Sequence, residues 1–464
     1  MTQDDKGTLE RQSLGKLVEL IRTRAASPVD IVDSLLQRIE NLNPQLNAVV
    51  TLAPDAIDKA KEAEDAVVRG AELGPLHGVP LTIKDTIETA GLRTTSGSLR
   101  RAEFVPERDA PAVVRLKAAG AIVLGKTNTA EMAMDYNTEN PVFGRGNNPH
   151  DTMMTTGGSS GGEAAAIASC MSPGGIGSDL AGSIRIPAHF CGVVGLKPTV
   201  GRVPGEGQFP PSTGPYSLGA TIGPMARSVA DLRLLFNVLA GIDSNEASAS
   251  MRGCRVAYYA DDTVAPVTEE TGAAVLAAAV ALSDAGLIIE QTRPPGVELG
   301  HELWLKLFSR TSVVQLRNFY TGNEDQGGEY VRWRLATADD TTPPSLDDYI
   351  GTWLERDRLR AELLRWMELT PLIIAPVGAV PAYEHGTHKV TIGKRTLSTF
   401  RAFSYSQTFN VFDLPVAVVP AGRSAEGLPI GVQVIGRPFA EAIVLAAAGI
   451  IEEALGGWQM PPAL

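Results

Sequence analysis

A stretch dense in glycine and serine between positions 157 and 201 constrains this chain more than any other feature. It opens as G-G-S-S-G-G, runs through G-S-D-L-A-G-S-I-R-I-P and closes as G-L-K-P-T-V-G, with short apolar turns between. Glycine reaches dihedrals that other residues resist, and it lets backbone N–H groups come close to a ligand. A serine hydroxyl beside such N–H groups is what acyl transfer needs, a nucleophile next to an anion-stabilising pocket. Ser159 and Ser183 are the candidates in this stretch. The missing base can be a lysine whose charge is suppressed, and Lys84 in G-V-P-L-T-I-K-D is the candidate. The stretch reads as an active site.

Composition bounds the rest. The 464 residues exceed the usual single-domain size, although large α/β enzymes hold one continuous sheet at this length. With 44% hydrophobic and 20% charged residues the chain has ample apolar content for a core. A net charge of −12 argues against nucleic acid or an anionic membrane as the main partner. Cys170, Cys191 and Cys254 form no C-x-x-C pair and fit reduced, buried residues better than a disulfide framework. His385 and His388 give an H-x-x-H without a third ligand, a weak metal signal. No cofactor is expected. The polar start, M-T-Q-D-D-K-G-T-L-E-R-Q, has no apolar signal core, and the longest apolar runs are about half of a membrane span. The expectation is a soluble, cytoplasmic protein.

Apolar strands alternate with helices along the chain. Ser27-Pro28 caps a helix with apolar residues at three- and four-residue steps. A short strand at N-A-V-V-T-L-A precedes a charged surface helix from Asp55 to Arg69. Then come a strand at P-L-T-I-K-D, a helix from Ala110 to Ala119 and a strand at A-I-V-L-G. The alternation resumes with C-R-V-A-Y-Y, a helix near Thr268 to Ala285, and L-I-I-E-Q-T. It ends with L-I-I-A-P-V, L-P-V-A-V-V-P, I-G-V-Q-V-I-G and a helix from Ala440 to Leu455. This pattern predicts an α/β fold, a sheet covered by helices on both faces. The Pro/Gly-rich segment from Gly205 to Gly219 reads either as a surface connection or as a wall of the substrate pocket.

Two motifs mislead. Gly120 to Thr127 matches G-x-x-x-x-G-K-[ST], but its four middle residues are themselves the apolar strand and cannot also be a phosphate loop. Lys126 is read instead as a strand-end residue. G-G-S-S-G-G also matches G-x-S-x-G, yet the preceding D-T-M-M-T-T is a poor core strand for a nucleophile elbow.

Taken together, these residues resemble the amidase signature family. The resemblance runs from about Glu10 to Gly456 and is densest in G-V-P-L-T-I-K-D-T-I, in A-G-A-I-V-L-G-K-T-N-T-A-E-M-A and from G-G-S-S-G-G to G-L-K-P-T. It implies a large mixed twisted sheet and one amidase domain over 1–464. Residues 1–70 would be helical, 71–235 would hold the catalytic core, and 236–464 would complete the sheet and pocket. It also implies a triad of Ser183 as nucleophile, Ser159 in a cis peptide after Gly158 as proton relay, and neutral Lys84 as base. Lowering an amine from ~10.4 to ~7.5 takes about 4 kcal/mol, which burial under the serine segment could supply. The N–H groups of Leu180, Ala181, Gly182 and Ser183 would form the oxyanion hole. Ser160 is expected to bond the loop or cap the following helix, Asp179 and Arg185 to form a buried ion pair, and Asp85 to be structural. Gly158, Met132, Met134, Tyr136, Phe209 and Tyr216 are candidate pocket residues, with helix core the competing reading for Met132, Met134 and Tyr136. Ala181 and Ser178 stand where relatives commonly carry Gly and Thr. The added methyl of Ala181 is tolerated if its φ is negative.

The resemblance implies a hydrolase of small-molecule amides working through an acyl-serine, as a monomer or homodimer. Anilides, carbamates or esters would be open to the same chemistry. A stand-alone amidase is favoured over the glutaminase subunit of a tRNA-dependent amidotransferase, because G-P-Y-S-L-G-A-T-I-G-P lacks that subunit's usual D-Q-I-G-P. A non-catalytic binding protein on the same fold is the alternative of another class.

Overall fold

Strands apolar at nearly every position must be buried on both faces, and alternate residues then belong to two separate cores. A computed structural model of the chain, which describes residues 9–242, 251–337 and 345–462, has this arrangement. The polar start at residues 1–8 lies outside the described residues. In chain order the strands are β1 (Val49–Leu52), β2 (Pro80–Lys84), β3 (Ile122–Thr127), β4 (Gly174–Asp179), β5 (Val194–Lys197), β6 (Thr221–Ala226) and β7 (Arg255–Tyr258). They continue with β8 (Ile288–Gln291), β9 (Leu372–Pro376), β10 (Lys389–Ile392), β11 (Arg395–Ser398), β12 (Val416–Arg423) and β13 (Pro429–Gly436).

Eleven of them form one mixed sheet in the order β1-β3-β2-β4-β6-β5-β12-β13-β9-β7-β8, while β10 and β11 pair separately. β2 lies parallel to both β3 and β4, and β7 lies parallel to both β8 and β9. Between these two parallel sets, every pairing along the run β4-β6-β5-β12-β13-β9 is antiparallel. Interior strands β2, β4, β6, β9 and β13 are buried at every residue, whereas no residue of the edge strand β8 is. Each strand and helix expected above is present, within three residues of its expected limits.

The two cores divide by alternation. On one face, Leu372, Ile374, Ala417, Val419, Val432 and Val434 pack with the helices Val229–Ala240, Glu269–Asp284 and Glu441–Leu455. On the other, Ile373, Ala375, Val416, Val418 and Ile435 pack with Arg185–Cys191 and Ser404–Val411. The first face is a scaffold of aliphatic side chains. The second carries the Gly/Ser stretch and holds most of the buried aromatic rings. At the N-terminal side, Ser27 accepts from the Val29 N–H and Pro28 opens the helix Pro28–Leu46, the expected cap. Cys170 and Cys191 are buried, whereas Cys254 is only partly so. Among the described residues, no helix is long and apolar enough to cross a membrane.

Truncating Ile374, fully buried within β9, to alanine is expected to cost about 2–5 kcal/mol in urea unfolding. Leu369→Ala, at a position 77% exposed just before the same strand, should stay within about 0.5 kcal/mol of wild type.

Candidate active site

The site is built where two neighbouring parallel strands end. Lys84 is the last residue of β2, and Ser178 and Asp179 are the last two of β4. The parallel register, Thr82 against Gly175 and Ile83 against Ile176, brings those ends side by side. In open sheets the space beyond the carboxyl ends of parallel strands is where ligands settle. Lys84 Nζ is hydrogen-bonded to Ser159 Oγ at 2.6 Å and donates to Ser178 Oγ at 3.0 Å. The amine is fully buried, and loss of hydration lowers its pKa to about 7 against the opposing pull of Asp179 and Glu163.

Ser159 follows Gly158 through a cis peptide bond. Its carbonyl accepts from Ala130 N–H at 3.3 Å, and the helix Gly161–Ala168 starts two residues later. Ser160 does not cap that helix. Its Oγ lies 3.3 Å from both the N–H and the carbonyl of Ser178 and ties the loop to β4. Ser159 and Ser183 line the same cleft, and Ser183 is 6% exposed.

The segment between β4 and the helix Arg185–Cys191 is held by its carbonyls. Trp304 Nε1–H donates to Leu180 O at 3.0 Å, and Tyr136 O–H to Ala181 O at 2.8 Å. Ile186 N–H donates to Gly182 O at 2.7 Å, and Ser160 N–H to Ser183 O at 3.1 Å. In a trans peptide the C=O and the following N–H point in opposite directions. Fixing the carbonyls of Leu180 and Gly182 therefore turns the N–H groups of Ala181 and Ser183 the other way. Gly182 is different: its N–H is taken by Asp179 Oδ1 at 2.9 Å. The donors with no acceptor among the described residues are those of Leu180, Ala181 and Ser183, three of the four expected. Ala181 is not among the non-glycine residues of positive φ, so its methyl strains nothing. Gly182 sits at φ +105°, where a Cβ would lie 2.7 Å from Cβ of Ser406.

Asp179 and Arg185 form the expected buried pair. Burial by itself would raise the Asp179 pKa, but the charge and hydrogen bonds of Arg185 hold it well below the usual carboxylate range. The guanidinium uses all five of its donors, on Asp179, Ser406 O, Gln433 and Asn410. Behind Lys84, Glu163 accepts from Thr82 at 2.5 Å and Thr127 at 2.8 Å, and burial raises its pKa to about 7. Asp85 accepts from the N–H and O–H of Thr95.

The cleft over the serines is partly open to solvent. Met132, Met134, Tyr136 and Tyr216 line it. The ring of Phe209 does not. Its N–H is bonded to Thr86 O and its carbonyl to Ser96, which sends the ring away against Phe319 and the Arg101 guanidinium. The neighbouring Gln208 and Pro210 face the cleft instead, so the loop from Gly205 to Gly219 contributes a wall through other residues. Gly158 lies behind the wall, where a Cβ would be 2.5 Å from Asp135 O. Much of the remaining lining comes from residues that carry no motif: Trp304, Phe308, Tyr330, Arg334 and Phe400.

The two misleading motifs resolve on geometry. Lys126 lies within β3, fully buried, and donates to Ile87 O and Thr89 Oγ1, so Gly120–Thr127 is strand and not phosphate loop. No strand leads into Ser159, and His385 lies against Thr152 O. Among the described residues no group of three His, Cys, Asp or Glu side chains is placed to hold a metal.

Comparison with known proteins gives a consistent answer. The profile of the Amidase family matches residues 30–445. Human fatty-acid amide hydrolase 2 is 30% identical over 490 residues, which cover 96% of this chain and 89% of that protein. A glutamyl-tRNA(Gln) amidotransferase subunit of Bdellovibrio bacteriovorus is 32% identical, covering 95% of this chain and 96% of that protein. Among solved structures, a bacterial aryl acylamidase of the amidase signature family superposes with a TM-score of 0.84 at 26% identity, covering 96% of each chain.

Removing one side of the buried pair tests its importance directly. Arg185→Met leaves Asp179 unpaired in a dry interior and should lower stability by about 3–5 kcal/mol in urea unfolding.

Proposed function

This chain belongs to the amidase family, and from that premise we propose that it hydrolyses small-molecule amides through an acyl-serine formed on Ser183. That it is a hydrolase of amide C–N bonds follows from the family. The assignment of roles within the site is our own. The observation that carries it is the contact between Lys84 and Ser159, a fully buried amine with a pKa near neutrality 2.6 Å from a serine hydroxyl. A charged lysine there could not accept a proton; a neutral one can.

Ser183 Oγ attacks the amide carbon while its proton passes to Ser159 Oγ, and the Ser159 proton passes to Lys84 Nζ. The carbonyl oxygen becomes an oxyanion facing the N–H groups of Leu180, Ala181 and Ser183. One such donor is typically worth ~2.7–4 kcal/mol in the transition state. When the tetrahedral intermediate collapses, the C–N bond breaks and the proton returns through Ser159 to the leaving amine. Water then attacks the acyl-serine by the same relay, releasing the acid and restoring Ser183.

The cleft supports an aryl or bulky apolar substituent, because Tyr136, Trp304, Phe308 and Phe400 supply most of its rings. An alternative reading is the glutaminase subunit of an amidotransferase, which the 32% identity to the Bdellovibrio relative supports.

A panel of glutamine, a fatty primary amide, an aryl anilide, an aryl carbamate and an activated ester separates these readings. Turnover of the anilide or fatty amide that vanishes in Ser183→Ala is the expected result; turnover of glutamine alone would transfer the assignment to the amidotransferase reading. The pH profile tests the base. Neutral Lys84 accumulates as pH rises through about 7, so kcat/KM should fall about tenfold per unit below that value and level off above it. A profile that stays flat from about pH 5.5 to about 9 would remove Lys84 from that role.

A further inference from the structure

The free Ala181 N–H shares its peptide with Leu180 O, and the Ala181–Gly182 peptide that follows joins this donor to the free Ser183 N–H. Both peptides are held from behind by side chains from distant parts of the chain, Trp304 on Leu180 O and Tyr136 on Ala181 O. Tyr136 does not act alone. Gln407 Nε2 donates to Tyr136 Oη at 2.8 Å and to Phe400 O at 2.8 Å. The reverse amide orientation would set two carbonyl oxygens against each other at Phe400, so the amide nitrogen must face Tyr136. Gln407 Oε1 is then an acceptor, and His301 Nδ1, 2.6 Å away, must carry a hydrogen. The chain of donors therefore runs in one direction, from His301 to Gln407 to Tyr136 to Ala181 O. Gln407 is fully buried and His301 nearly so, and neither lines the cleft.

We propose that Trp304 and the His301–Gln407–Tyr136 chain are positioning residues for the oxyanion hole: Trp304 aims the Ala181 N–H by holding Leu180 O, and the chain ending in Tyr136 fixes the Ala181–Gly182 peptide that joins this donor to the Ser183 N–H. This inference rests on the acyl-serine reading of Ser183. Its physical basis is preorganisation: donors fixed before reaction cost nothing to orient when the oxyanion forms. Asp179 pins the remaining member, Gly182 N–H, from within the loop. The Ala181–Gly182 peptide is thus clamped at both its carbonyl and its N–H.

Trp304→Phe and Tyr136→Phe each keep an aromatic ring in the wall and remove only the donor. The assay is the limiting first-order rate of Ser183 labelling at saturating aryl fluorophosphonate, in which Ser183 Oγ bonds to phosphorus, the P–F bond breaks to release fluoride, and the phosphoryl oxygen takes up charge on the way. It is read alongside kcat, KM and the thermal midpoint. Each variant should label about tenfold more slowly, the factor expected from one hydrogen bond's net worth, with kcat reduced in parallel and KM within about threefold. A role confined to wall packing would instead raise KM and lower the midpoint, leaving the labelling rate unchanged, and that result overturns the proposal. Should either variant fail to fold, Gln407→Met, which fills similar space and has no donor for Tyr136, must show the same slow labelling. Wild type that labels at Ser183 while all variants match it removes this inference alone. Wild type that does not label removes the acyl-serine reading and this inference with it.

Discussion

The buried ion pair between Asp179 and Arg185 is the constraint on which the rest of the site depends. Asp179 ends β4, and its two oxygens receive the N–H groups of Gly182, Ile184 and Arg185, the Arg185 side chain and Asn410. One carboxylate therefore shapes the turn that presents Ser183. Arg185 extends the same network to Gln433 on β13 and to Ser406 and Asn410 on the helix Ser404–Val411. A glycine-rich turn has little side-chain packing of its own to hold it. Its shape is imposed by charge and hydrogen bonds from the surrounding elements, and so costly a burial of charge is tolerated only because every donor of the guanidinium is met.

The electrostatics of Lys84 follow from this arrangement. A lone lysine in a dry site loses its proton because hydration is gone, and a nearby carboxylate would restore it. Asp179 and Glu163 both pull in that direction. Asp179 is largely neutralised by Arg185, and Glu163 is itself pushed up toward neutrality by burial while Thr82 and Thr127 bond it. The hydrogen-bond partners of Lys84 are two hydroxyls and neither of these acids. Desolvation wins. The site thereby keeps an amine that titrates near pH 7 inside a protein of strongly negative net charge.

How much of this could be read from the sequence depends on how local the information is. The strands, the helix after Ser27 and the placement of Lys84 at a strand end rest on short-range patterns, and all were legible. Ser159 and Ser183 stand out because a dense motif surrounds them, and both line the cleft. Phe209 shows the limit: composition marks its loop as a pocket wall, but only the bonds to Thr86 and Ser96 decide that its ring turns away. Trp304, Gln407 and His301 carry no motif at all. Trp304 lies 124 residues from Leu180 and Gln407 lies 271 from Tyr136, separations over which periodicity says nothing. Ser160 reads either as a tie for its loop or as a helix cap, and the structure has the tie: its hydroxyl turns to the backbone of Ser178 on β4, a neighbour that only the tertiary fold supplies.

These separations also divide the labour of the molecule. The groups proposed to move protons are Lys84, Ser159 and Ser183, held around adjacent strands by backbone ladders and by glycines that admit no side chain. The aromatic walls come largely from Trp304, Phe308, Tyr330 and Phe400, outside the sheet. A change in the wall therefore reshapes what fits without touching Lys84, Ser159 or Ser183, provided it spares the atoms bonded to the loop. Trp304 is where the two halves meet. Its ring lines the cleft and its Nε1–H holds Leu180 O, so the wall and the turn before Ser183 cannot vary independently at that position. The same is true of Tyr136, whose ring stacks on Phe400 at 4.6 Å while its hydroxyl holds Ala181 O. A substitution at either position that removes the donor along with the ring both reshapes the cleft and frees a carbonyl of the turn, so wall and turn are coupled there.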